Sequence, residues 1–141
     1  MSNDSVEIVH RFWDEVWNAH APEAVERFVT EDFVITSGGV DTVGRAEFKK
    51  WVAALLDRIE GLRVQVAESF QNADGSRVAS RWVLTGRNNG FAGTEADGKP
   101  IEMSGTAVWA VTPDGRLAHN WVERAALEQV NRLRNGSPAS W

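Results

Sequence analysis

The 141 residues suffice for one domain with a core of its own and leave no room for a second domain of ordinary size. The chain has neither cysteine nor tyrosine, which excludes disulfides, thiolate metal sites, cysteine nucleophiles and phenolic hydrogen-bond donors. Its net charge of −5, without a basic run or a long apolar run, argues against binding of nucleic acid, an anionic membrane surface or a membrane span.

The first part of the chain predicts three helices and one strand. Apolar side chains recur at helical spacing over residues 6–17, and Pro22 suits the first turn of a short second helix. Residues 31–37 are strand-like and end at two glycines. A third apolar face predicts a helix over residues 45–58, with Gly61 as its left-handed C-terminal cap.

After this helix the apolar period becomes two, which is typical of strands. Strands are predicted from residue 62 to about 67, over 77–87, over 101–111 and over 116–123, and a short helix is predicted over 125–134. Hairpin turns are predicted at Asp74-Gly75 and Thr112-Pro113-Asp114-Gly115.

This order predicts an α+β fold in one domain over residues 1–134, followed by a flexible tail over 135–141. We expect a curved antiparallel sheet of about four to five strands, capped by three N-terminal helices, with a short C-terminal helix. Helices packed on one face of such a sheet would make a cone-shaped barrel whose open end forms a small-molecule pocket.

Four stretches of the chain, in this order, are similar to one known superfamily. They are the aromatic first helix running into Asn18, residues 30–34, residues 81–86 with their continuation to residue 100, and residues 114–121. Over roughly residues 6–133 the chain resembles the nuclear transport factor two-like superfamily, and within it the SnoaL-like polyketide cyclase branch. The resemblance implies a cone-shaped α+β barrel, cofactor-independent acid–base chemistry on a hydrophobic carbonyl compound, and a homodimer formed through the sheet.

The chain departs from the family pattern at the acid–base positions. Such cyclases often have histidines where Thr36 and Asn88 stand here, and an aspartate where Ala125 stands. The steroid isomerase and epoxide hydrolase relatives use a tyrosine, which this chain lacks. Thr36 and Asn88 are therefore expected to line the pocket as hydrogen-bonding groups for a carbonyl, not to transfer protons.

The last predicted strand supplies two candidate catalytic residues. Strict alternation places Leu117, His119, Trp121 and Glu123 on one face. If this face closes the pocket, burial raises the pKa of Glu123 toward values useful for acid–base catalysis, and His119 is its partner. The alternative is that Glu123 pairs with an arginine at the sheet rim and His119 is solvated.

Asp32 is a third catalytic candidate, because it lies just before the early strand, where family members use carboxylates. It equally suits a capping or pairing position near the end of the second helix.

Tryptophans are the expected walls of the binding site. Trp13, Trp17 and Trp51 lie on helix faces that would form pocket walls, and Trp109 is in register to lie close to Trp121 on the sheet. Indoles around a pocket favour a small hydrophobic or aromatic ligand, although each tryptophan also suits plain core packing. The face taken by Trp82, as opposed to Arg81, stays open.

Two functions follow from these observations. The first is a cofactor-free enzyme that performs cyclisation, isomerisation or dehydration on a hydrophobic carbonyl compound, and the second is a non-catalytic module that binds such a ligand. The three histidines are scattered without metal-ligand spacing, so no metal or other cofactor is expected. The polar start of the chain is unlike a signal peptide, and we expect a cytoplasmic protein.

Overall fold

The computed structural model describes residues 4–135. Its α-helices are α1 (Asp4–Phe12), α2 (Arg45–Arg58) and α3 (Ala126–Asn135). A π-helical turn, Trp13–Asn18, continues α1, and two short 3-10 turns cover Pro22–Arg27 and Phe91–Gly93. None of the helices within residues 4–135 has the length and apolarity needed to cross a lipid bilayer.

One six-stranded sheet accompanies these helices in a mixed α+β fold. Its strands are β1 (Val29–Ser37), β2 (Val40–Val43), β3 (Ile59–Gln71), β4 (Arg77–Asn88), β5 (Pro100–Val111) and β6 (Leu117–Arg124). They lie in the order β2-β1-β6-β5-β4-β3. All neighbours are antiparallel except β1 and β6, which are parallel. The last four strands form the predicted antiparallel meander.

The predicted strand count of four to five is wrong, because β2 shows no apolar periodicity. β1 ends directly before the two glycines, as expected, and Gly38 and Gly39, which both have positive φ, also form the tight turn of a hairpin that leads into β2. The predicted second helix is a 3-10 turn over Pro22–Arg27. Asn135, predicted as the first tail residue, is the last residue of α3, and the other tail residues, 136–141, lie outside the described part of the chain.

The core lies between the helices and one face of the sheet, here called the inner face. Phe12 of α1 packs edge-on against Trp109 of β5 with ring centroids 5.0 Å apart, and Phe33 of β1 lies 4.6 Å from Phe48 of α2. All four rings are fully buried. Apolar burial of this kind contributes about 25 cal/mol per Å² of area removed from water, and it fixes α1 and α2 on the inner face.

A β-bulge in β6 decides which side chains of this strand face inward. Ala110 of β5 pairs with His119 and Val111 pairs with Leu117, so Ala118 has no partner on β5. The extra residue shifts the alternation by one position. Leu117 is buried before the bulge, and Asn120 and Val122 are buried after it.

Candidate functional site

A mostly apolar cavity lies between the inner face of the sheet, the π-helical turn and α2. The space that admits the centre of a water molecule is about 50 Å³, and all unfilled space, with the solvent at the opening included, is about 490 Å³. The helical wall consists of Trp13, Trp17, Phe48, Trp51 and Leu55. The sheet wall consists of Ile35, Val64, Trp82, Leu84, Met103, Ala107, Asn120, Val122 and Arg124.

Three of the predicted binding residues lie on this cavity. The π-helical turn places Trp13 and Trp17 on the buried side, and Trp17 packs edge-on against Trp51 with ring centroids 6.0 Å apart. Single π-helical turns within α-helices often occur at functional sites. The three indoles lie on the pocket walls, as predicted from the sequence, while their contact with a ligand stays a prediction.

Two polar side chains hold this turn against β3. The amide of Asn18 accepts a hydrogen bond from the backbone N–H of Val64 at 2.7 Å and donates one to its carbonyl at 3.0 Å. The His20 ring donates to the Leu62 carbonyl at 2.7 Å. Because both side chains bond the backbone of β3, they fix the distance between the indole wall and the sheet.

The sequence did not decide which face of the sheet Trp82 occupies; in the structure Trp82 lies on the inner face. Its neighbour Arg81 points to the opposite face, where its Nε lies 2.6 Å from Oε2 of Glu68. Trp82 pairs across the sheet with Gly105, and a Cβ at Gly105 would lie only 2.2 Å from Cζ2 of the indole. The missing side chain at Gly105 therefore gives the indole room to lie across β5.

Two polar side chains of β6 also line the cavity, and neither was predicted from the sequence. Asn120 is 5% exposed, and its Oδ1 has no hydrogen-bond donor among the described residues. Arg124 has a buried Nη1 that lacks an acceptor within residues 4–135. Val122 follows Leu117 by an odd number of residues, so regular alternation would place these two apolar side chains on opposite faces. This mismatch in the sequence was the signal that could have revealed the bulge.

Aromatic rings surround the Arg124 guanidinium. Its central carbon lies 5.7 Å from the ring centroid of Trp51 and 5.7 Å from that of Phe91. Burial lowers the pKa of Arg124 below its ordinary value. Cation–π contacts stabilise a desolvated guanidinium, but they leave its N–H groups without acceptors.

The predicted inward placement of Glu123, His119 and Trp121 is wrong. The bulge at Ala118 turns these side chains to the outer face, which is the side of the sheet away from the helices. Glu123 is exposed, and Trp121 is 37% exposed. None of the three lines the cavity, so the catalytic roles predicted for Glu123 and His119 have no support from its geometry.

On the outer face His119 joins a small polar network. Its ring stacks on Trp121 with centroids 3.8 Å apart, and its Nε2 lies 2.8 Å from Oγ1 of Thr36. Thr36 donates its hydroxyl proton to Asp41 at 2.6 Å, so His119 must donate the Nε2 proton to Thr36. Desolvation lowers the pKa of His119; Asp41 opposes this shift and Arg77 adds to it.

Thr36 and Asn88 do not line the cavity, contrary to expectation. Thr36 belongs to the outer-face network, and Asn88 is the buried last residue of β4, where its side chain bonds the loop that follows. The Oδ1 of Asn88 accepts from the backbone N–H of Phe91 at 2.8 Å, and its Nδ2 donates to the carbonyl of Glu95 at 2.7 Å. Asn88 thereby holds the turn that places Phe91 beside Arg124.

The two remaining predicted site residues also lie away from the cavity. Trp109 is fully buried in the core, where it packs against Phe12 and Trp13, and its Nε1 has no acceptor among the described residues. Asp32 is exposed on β1. Over residues 4–135 no group of three His, Asp or Glu side chains is arranged to hold a metal ion.

Solved structures with the same fold come from several bacteria. A proposed SnoaL-like polyketide cyclase from Jannaschia sp. CCS1 superposes with a TM-score of 0.86 at 20% identity, covering 95% of this chain and 94% of that one. A proposed polyketide cyclase from Acidithiobacillus ferrooxidans gives 0.79 at 25% identity, covering 94% and 96%. One from Streptomyces antibioticus gives 0.78 at 20% identity, covering 92% and 98%.

A search of curated proteins finds no match for this chain. The family model for the SnoaL-like domain matches residues 9–120, which include the π-helical turn, α2 and all but the end of the sheet. The resemblance found in the sequence is thus confirmed, and the chain belongs to the SnoaL-like domain family.

Proposed function

We propose that this protein is a small-molecule pocket protein that binds a flat, hydrophobic carbonyl compound in the cavity between the π-helical turn, α2 and the sheet. The observation that carries the proposal is the wall of four indoles, Trp13, Trp17, Trp51 and Trp82, around one mostly apolar space. Indoles offer large rigid surfaces to a flat ligand, and apolar cavities with few polar groups are typical of ligand sites.

A cyclisation or isomerisation reaction on this ligand is the second candidate function. It is favoured by the similar structures, several of which are proposed polyketide cyclases. The cavity would orient the substrate and exclude water, both of which assist ring closure. Among the described residues, those that line the cavity include neither a carboxylate nor an imidazole. The cavity wall therefore lacks the side chains that usually transfer protons in such a reaction. Binding is therefore the function that the geometry supports best.

Indole resonances in nuclear magnetic resonance spectra provide the test, with 2-acetonaphthone as a neutral, flat carbonyl probe. We expect the Nε1–H signals of Trp17, Trp51 and Trp82 to shift on titration. Trp121 lies on the outer face and serves as an internal control, because its signal should not move. Single Trp→Phe variants assign the signals. Movement of Trp121 alone, or of none of these signals, would contradict the proposal.

A cavity-filling variant tests the location of binding. Ala107 lies on the cavity wall and is 2% exposed, so Ala107→Leu places three more carbons in the ligand space. We expect affinity for 2-acetonaphthone to fall about tenfold or more, which corresponds to about 1.4 kcal/mol. Thr106→Leu places the same side chain on the opposite face of β5 and should leave the affinity unchanged.

A further inference from the structure

We propose that the cavity selects a ligand with an anionic oxygen, a carboxylate or an enolate, at one end and a hydroxyl group at the other, bound by Arg124 and Asn120 respectively. This inference rests on the proposed function and adds the polar chemistry of the ligand to it. Three features of β6 and its surroundings support it.

The first feature is the missing partner of Arg124. Seven ion pairs join side chains within residues 4–135, and Arg124 takes part in none of them. Its Nη1 is buried and has no acceptor among residues 4–135, and burial is the cause that lowers its pKa, without a contribution from a carboxylate of these residues. A desolvated cation is unfavourable unless a partner compensates it, so an anionic ligand group on Nη1 would remove this penalty.

The second feature is the way in which Arg124 is held. Trp51 and Phe91 contact the guanidinium from α2 and from the 3-10 turn after β4, each at 5.7 Å. Asn88 fixes that turn through the backbone of Phe91. Contacts through aromatic rings hold the guanidinium while its N–H groups stay free to bind a carboxylate with two parallel hydrogen bonds.

The third feature is the second unpaired group, at Asn120. Asn120, Val122 and Arg124 follow one another on the inner face, and all three line the cavity. With a rise of about 3.3 Å per residue, the first and the last of them are about 13 Å apart along the strand. The unpaired Oδ1 of Asn120 accepts hydrogen bonds, so a ligand group facing it must be a donor such as a hydroxyl.

These positions define an elongated ligand. Its anionic end lies at Arg124, its donor end lies at Asn120, and its flat apolar middle lies over Val122 and against the indoles. 6-Hydroxy-2-naphthoate has this pattern. Its methyl ester lacks the charge, and 2-naphthoate lacks the hydroxyl, so the three compounds separate the two polar contacts.

Calorimetric titration of the intact protein at pH 7.5 with the three compounds tests the inference. We expect the parent protein to bind 6-hydroxy-2-naphthoate at least tenfold more tightly than its methyl ester, and several-fold more tightly than 2-naphthoate. In Arg124→Met the acid-to-ester preference should fall to about one while the ester still binds. Arg124→Lys should restore part of the preference, and Asn120→Leu should remove the preference for the hydroxyl compound.

Arg81→Met is the matched control, because it makes the same change on the outer face of the sheet and should leave all ratios unchanged. Equal binding of acid and ester by the parent, or a preference that survives Arg124→Met, would overturn the inference and leave the proposed function standing. If neither the acid nor the ester shifts the signals of Trp17, Trp51 and Trp82, both the inference and the proposed function are wrong. The comparison of acid and ester in the parent needs no variant, so it holds even if a variant fails to fold.

Discussion

Neighbouring residues on β6 place their side chains in two different chemical environments. Arg124 Nη1 and Asn120 Oδ1 lie at the cavity and have no hydrogen-bond partner within residues 4–135. His119, between Thr36 and Trp121, has its polar contacts on the outer face. A titratable imidazole is thus present in the molecule but absent from the cavity wall. We therefore expect its protonation to affect the stability of the sheet and not the chemistry of the cavity.

The pH dependence of stability should show this effect of His119. Its pKa is lowered in the folded protein, chiefly by desolvation, from about 6.5 in the unfolded chain. The unfolded state therefore binds the proton more readily, so this contribution to stability is complete above about pH 6.5 and is lost as the pH falls toward the folded pKa. Urea unfolding between pH 7.5 and 5 should show a steeper loss for the parent than for His119→Gln.

Identical pH profiles for the parent and His119→Gln would contradict the assignment.

At the scale of elements, the bulge in β6 sets the composition of the cavity wall. Ala118 has no ladder partner on either β5 or β1. If Ala118 were removed, Leu117 would still face inward, His119 outward and Asn120 inward, which is the alternation of a regular strand. The same residues would therefore line the cavity.

Deletion of Ala118 should therefore leave the fold and the cavity intact. We expect a cooperative unfolding transition that is destabilised by roughly 1–3 kcal/mol, with the indole spectrum of the cavity tryptophans preserved. Deletion of Val108 is the comparison, because Val108 pairs with Ala79 and Trp121 and its loss shifts β5 by one residue. That variant should lose cooperative unfolding. A ΔAla118 protein that also fails to fold would show that the bulge itself is required.

The sequence predicted the parts of the fold that depend on local periodicity. The bounds of α2 agree with the predicted 45–58, and β5 begins one residue before the predicted 101–111. The bulge escaped prediction because alternation describes a regular strand, and one unpaired residue reverses every assignment after it. The unpaired state of Arg124 and Asn120 also could not be predicted, since it depends on what other elements place nearby.

At the scale of the whole molecule, an apolar row crosses the outer face of the sheet. Phe70 pairs with Ala79, Ala79 with Val108, and Val108 with Trp121, so the four side chains lie side by side on β3, β4, β5 and β6. Phe70 is 61% exposed and Val108 is 40% exposed. We propose that a second copy of the chain covers this row in a two-fold homodimer, as expected from the residues on both faces of β5.

Light scattering should then give twice the 15.6 kDa mass of one chain at micromolar concentration. Val108→Asp puts a charge in the middle of the row and should yield monomers. Val40→Asp makes the same change at a valine of β2 outside the row and should leave the dimer intact. A particle of 15.6 kDa for the parent protein would rule out the dimer.

The contacts of Asn18 and His20 with β3 have a consequence for association. β3 is the last strand of the sheet, and an edge strand with free backbone groups invites pairing with strands of other molecules. The Asn18 side-chain amide hydrogen-bonds to both the N–H and the carbonyl of Val64, and His20 hydrogen-bonds to the Leu62 carbonyl. These backbone groups are therefore not available for pairing with an incoming strand. The same two side chains that position the indole wall thus protect the protein from edge-to-edge aggregation.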